Sequence, residues 1–145
     1  MPERSGGETG VGVYLSARQE ERLRARLEAL PAAVTMTLTV APVRRPADAA
    51  AVELVQYLVA LAPRRLRMVL RAEGAHPTPR LEAAGPAGPC RVTFRGSPTG
   101  FQLDEWIRAL ELSAGAPPPR LDPVTAGLLE ALPRPVPARV YVSPT

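Results

Sequence analysis

The stretch Val34-Thr-Met-Thr-Leu-Thr-Val40, in which every second residue is threonine, constrains this chain more than any other. Extended backbone points successive side chains to opposite faces, so strict alternation puts four apolar side chains on one face and three hydroxyls on the other. A helix would scatter them around its axis. The segment is therefore read as a strand, and the elements around it must supply the partners and the cover for its apolar face.

Helices flank it on both sides in sequence. Upstream, Ser16 and Gln19 form a capping-box pattern, Leu23, Leu27 and Leu30 recur at helical spacing, and Pro31 stops the run, which predicts a helix over 16 to 30. Residues 1 to 15, Gly-rich over most of their length, are read as a flexible N-terminus. Downstream, Ala41-Pro-Val-Arg-Arg-Pro46 breaks the strand. Asp48 is taken as the cap of a helix running to Ala62, with Leu54, Val55, Leu58, Val59 and Leu61 as a broad apolar stripe. Leu66 to Leu70 reads as a second strand. A proline-marked loop, a short strand and the turn Gly85-Pro-Ala-Gly-Pro89 follow. Cys90-Arg-Val-Thr-Phe-Arg95 alternates again and predicts a strand with Cys90, Val92 and Phe94 on its apolar side. After the turn Gly96-Ser-Pro-Thr-Gly100, Leu103, Trp106, Ile107 and Leu110 mark a helix that Gly115 terminates as its C′ residue.

The chain divides into the flexible N-terminus, a domain over 16–115, and a tail over 116–145. In the tail, Asp122 and Pro123 suit the N-cap and first turn of a helix carrying Val124, Leu128 and Leu132. A strand around Val140 and Val142 is expected next. This helix-then-strand order repeats the opening of the domain, as though a second copy of the unit began there.

Composition excludes more than it assigns. With 145 residues, 46% of them hydrophobic, the chain can build one real core and a fragment of another. A net charge of +4 raises the possibility of nucleic-acid binding, for which a steep salt dependence would be the signature. All 18 basic residues are Arg, however, as in proteins from GC-rich genomes, and those in Arg18 to Glu28 alternate with Glu as on a solvated helix face. Aromatic residues do not interleave with them for base stacking, so nucleic acid is not the expected partner. The absence of a long apolar run or a signal-peptide core suggests no membrane partner and a cytoplasmic location. A single Cys90 and a single His76 provide neither a disulfide nor an ordinary zinc site, and no cofactor is implied.

The predicted order, βαβ followed by a ββ hairpin and a helix after an extra N-terminal helix, resembles the thioredoxin fold, an α/β class with a mixed sheet flanked by helices. Arg91-Val-Thr-Phe-Arg-Gly-Ser-Pro-Thr-Gly100, followed by a helix with Trp106, is similar to the end of the first unit of tandem glutaredoxin-like protein disulfide oxidoreductases. It is equally similar to the N-terminal domain of the F subunit of alkyl hydroperoxide reductase. In both families a second unit opens with a strand like Val140-Tyr-Val-Ser-Pro-Thr145, which leads into a redox Cys-Pro-x-Cys. The resemblance makes Ser143, Pro144 and Thr145 an active-site lead-in. It also makes the first unit redox-silent, because 41–46 stands where its CxxC would be. A proline before the third strand borders the substrate groove in this fold; Pro77 is the first choice by spacing and Pro79 the second, with Trp106 a further groove candidate.

Little other chemistry remains. Dithiol exchange needs a second thiol to resolve the mixed disulfide, and Cys90 has none. His76 has no neighbouring nucleophile in the sequence, and Asp104 and Glu105 are adjacent on a helix, facing different directions. No catalytic residue is assigned. The expected function is a docking or structural domain of a thiol-disulfide redox protein, its partner a protein or the rest of its own enzyme. The alternative is the truncated front half of a disulfide or peroxide-linked oxidoreductase, the chain ending by truncation, as a naturally shortened module, or at a selenocysteine UGA read as a stop. An unpaired strand at 140–142 would fray or pair with another chain, so disorder beyond about residue 134 or a homodimer through that strand is expected.

Overall fold

The alternating segment is the central strand of a mixed sheet. The computed structural model describes residues 15–74, 79–89 and 92–141. Its elements are α1 (Ala17–Glu28), β1 (Val34–Val40), α2 (Pro46–Leu61), β2 (Leu66–Ala72), β3 (Arg80–Gly85), β4 (Gly88–Pro89), β5 (Phe94–Arg95), α3 (Phe101–Ser113) and α4 (Pro123–Glu130). The strand order is β2-β1-β3-β4, with β5 also pairing with β3. β1 runs parallel to β2 through the α2 crossover and antiparallel to β3. This is a thioredoxin-like α/β arrangement.

The apolar face of β1 is the floor of the core. Val34, Met36 and Leu38 are fully buried and Val40 nearly so, while Thr35 and Thr37 on the other face stay half-buried. Leu66, Leu81 and Ala83 extend the floor across β2 and β3. Leu54, Val55 and Leu58 of α2 and Trp106, Ile107 and Leu110 of α3 close it from above. Each large apolar side chain buried this way is worth about 1.5–3 kcal/mol. α1 adds Leu23 and Leu27 to the same cluster, held there by polar contacts. Tyr57 Oη donates to Glu20 Oε2 at 2.9 Å, and burial, reinforced by that carboxylate, pushes the phenol up to about 12. Arg26 donates to Glu111 of α3 at 2.9 Å and also pairs with Asp104. Burial works against ionisation of Glu111, yet the guanidiniums of Arg26 and Arg108 outweigh it and hold its carboxyl below the usual range.

Helix ends follow the capping signals. Ser16 Oγ accepts from the Gln19 N–H at 3.3 Å while Gln19 Oε1 accepts from the Ser16 N–H at 2.8 Å, a complete capping box. Gly115, with φ of +96°, ends α3 in a Schellman motif: its N–H bonds Leu112 O, and the Ala116 N–H bonds Glu111 O.

Three expectations are corrected. Asp48 does not begin α2; the helix starts at Pro46, which occupies the first turn where its missing N–H costs nothing, behind Arg45 at the N-cap. Of the strand expected over 90–95, only Phe94–Arg95 pairs, and Val92 is 51% exposed rather than apolar-side core. The β4 and β5 pairings are offset by two residues along β3, and residues 92 and 93 lie in the unpaired backbone between them. Finally, residues 139–141 form no strand and are exposed, and Val142 lies outside the described residues. α4 forms where Asp122 and Pro123 predict it, but none of its residues is buried.

Gly85 closes β3 directly beneath the end of α3. A Cβ placed there would sit 2.2 Å from the Ser113 carbonyl oxygen, which also accepts from the Ala87 N–H. Both groups are backbone and cannot swing aside. Gly85→Ala should therefore cost about 1–3 kcal/mol by forcing the β3–β4 turn off the helix, measured as a lower urea midpoint with an unchanged m-value.

Candidate functional site

In this fold the loop after the central strand, leading into the next helix, is the place for chemistry at a helix N-terminus. Here that loop is 41–46, and it is closed by one side chain. Asp48, the third residue of α2, is fully buried and reaches back over the helix end. It accepts from the Arg45 backbone N–H at 3.0 Å, from Arg45 Nε at 2.8 Å and from the second guanidinium nitrogen at 3.1 Å. The guanidinium bonds are the largest influence on this carboxyl. With the backbone N–H groups of Arg45 and Ala41 they outweigh burial and hold it below its ordinary value of 3.8. Asp48 thus ties the end of β1, the N-cap and the first turn of α2 together. A carboxylate at a helix N-terminus also meets the positive end of the helix dipole.

The clamp leaves no reactive group in the loop. Ala41-Pro-Val-Arg-Arg-Pro46 contains no thiol, hydroxyl, imidazole or carboxylate. Arg45 caps the helix and Pro46 follows it at the first helical position. Sequence reading placed Asp48 at the cap and missed the clamp. The signal was present, as an acid three residues after the true N-cap with Pro at the first helical position.

The other candidates divide between the core and residues outside those described. Pro79 is buried and directly precedes β3, its carbonyl accepting from the Gly96 N–H at 2.7 Å. Trp106 is only 1% exposed and meets Phe94 edge-on with ring centroids 6.4 Å apart. It packs the core rather than lining a surface groove, and its indole Nε1 has no hydrogen-bond partner among the described residues. Pro77, His76, Cys90 and the lead-in Ser143, Pro144 and Thr145 lie outside the described residues. Among the described residues no cluster of three His, Cys, Asp or Glu side chains is placed to hold a metal ion, and no helix is long and apolar enough to cross a membrane.

Neither a comparison with protein-family profiles nor one with curated proteins finds a match. Among solved structures, the F subunit of alkyl hydroperoxide reductase of Enterococcus faecalis superposes with a TM-score of 0.64 over 83% of this chain, at 16% identity. The chain spans 62% of that structure's length. At this identity the likeness is one of fold, and it agrees with the thioredoxin-like architecture built above.

The clamp carries a pH signature. A carboxyl with a depressed folded value stabilises the fold above its unfolded value and loses that contribution as pH falls through the folded one. Asp48→Asn should therefore lower the urea midpoint at pH 7. The gap from the parent should shrink as pH falls below 3.8, the ordinary value of the group. A constant gap from pH 7 to pH 3 would mean that the charge of Asp48 contributes nothing.

Proposed function

We propose that residues 16–115 act as a non-catalytic docking or structural domain of a thiol-disulfide redox protein. The observation that supports this reading is the Asp48–Arg45 clamp, an ion pair between a buried carboxylate and a partly exposed guanidinium in a loop that has no thiol. The superposition on a component of a peroxide-linked reductase supports the redox setting through the fold. The chain offers one thiol, Cys90, and a lone thiol cannot resolve a mixed disulfide into product within the same chain. In an insulin-reduction assay with dithiothreitol, the expected rate equals that of dithiothreitol alone, and Cys90→Ser leaves it unchanged. Turnover above that blank, abolished by Cys90→Ser, would overturn the reading.

The exposed apolar side of α4 favours a second reading, that this domain is the front of a longer oxidoreductase. Val124, Leu128 and Leu129 are 72%, 67% and 52% exposed, on a helix whose cap, Asp122 accepting from the Thr125 N–H at 3.0 Å, is well formed. An amphipathic helix with a stable start and an uncovered apolar side fits a connector to a following unit. Sequencing the gene past the codon for Thr145 tests it: an in-frame Pro-x-Cys and the remainder of a thioredoxin-like unit is the expected result, and the lack of any such downstream sequence removes it.

A further inference from the structure

The polar face of the sheet gathers charge that is scattered in sequence. In the β-sheet register, Thr39 of β1 pairs with Arg71 of β2 on one side and Arg80 of β3 on the other, and Arg80 pairs with Arg95 of β5. Directly paired residues share a face, so three arginines and one threonine form a single row across four strands, about 14 Å from end to end at the usual strand spacing. The row lies at the end of β1 that leads into the clamped loop. Arg71 and Arg95 are exposed and Arg80 half-buried. Among the described residues only Arg80 has a carboxylate within reach, Glu82 at 3.5 Å, and that contact fails as a hydrogen bond for its buried Nε. Thr39, in the middle of the row, is fully buried with its hydroxyl also unpartnered among the described residues. A buried polar group left this way carries a desolvation penalty that no internal bond offsets.

We propose that this row docks an acidic polypeptide segment of a partner protein. Guanidinium groups match carboxylates in a planar, two-pronged geometry, and several aligned on one rigid sheet face hold a run of Asp or Glu without reorganising the backbone. The face disfavours nucleic acid. Its residues, the threonines of β1 with Arg67, Val69, Arg71, Arg80, Glu82 and Ala84 of the flanking strands, include no aromatic ring for base stacking. The inference rests on the docking reading above. Its test is a binding measurement, so it fails separately from that reading, which the insulin assay decides.

The probe is a fluorescein-labelled octaglutamate, with octaglutamine and an oligothymidylate of matched charge as comparisons, titrated with the full chain by fluorescence anisotropy. Saturable binding of octaglutamate is expected, with none of octaglutamine. The double variant Arg71→Gln/Arg95→Gln should weaken it by about tenfold or more, since charge pairs across an interface are strongly coupled. Removing the same charge elsewhere, with Arg18→Gln/Arg22→Gln on the exposed side of α1, should leave binding within about twofold. Both arginines of the row are exposed, so circular dichroism of the first variant should match the parent. The proposal is overturned if octaglutamate does not bind, if both double variants weaken it equally, or if oligothymidylate binds more tightly at the same salt.

Discussion

Burial of one face of β1 is the constraint on which the rest of this structure depends. The strand has partners on both edges, so its backbone groups are satisfied whatever its side chains do. Its side chains then decide the layers. Four apolar residues on one face require helices above them, and α1, α2 and α3 all contribute to that single cluster. The three threonines on the other face require no helix over them. The sheet therefore turns its apolar side to the helices and its polar side, lined with arginines from the flanking strands, towards solvent.

The same strand delivers the chain into loop 41–46, and the clamp there shows how one position can serve stability instead of chemistry. A helix N-terminus stabilises negative charge. In a dithiol enzyme that property lowers the pKa of a thiol; here it acts on Asp48, which is ionised, buried and bonded to the guanidinium of its own N-cap residue. A buried carboxylate with several donors resists replacement by a reactive group, because removing it leaves those donors without an acceptor. On the docking reading proposed above, this end of the sheet acts through surface recognition, and the adjoining surface carries the arginine row.

Local signals in the sequence were legible where one residue controls one hydrogen bond. Ser16 with Gln19, Gly115, and Asp122 with Pro123 each closed a helix end at the place their chemistry requires. Periodicity was legible too, in β1 and in the helix faces. Reading failed where pairing overrides pattern. The strand expected over 90–95 pairs only at Phe94–Arg95, and Val92 lies exposed in the unpaired backbone before it. Val140 alternates as a strand should, yet lies exposed with no neighbouring strand at 139–141. Trp106 could have been a groove or a core residue on sequence grounds, since a large aromatic suits both, and only its burial and its contact with Phe94 assign it to the core.

By itself, the sequence determined the α/β class, the order of the helices and of the longer strands, and the absence of a thiol after β1, since alternation, capping and residue identity are properties of neighbouring residues. Tertiary structure alone decided the arginine row: Arg71, Arg80 and Arg95 look like isolated solvated charges along the chain, and they become neighbours because strand register sets lateral partners and no local pattern encodes it.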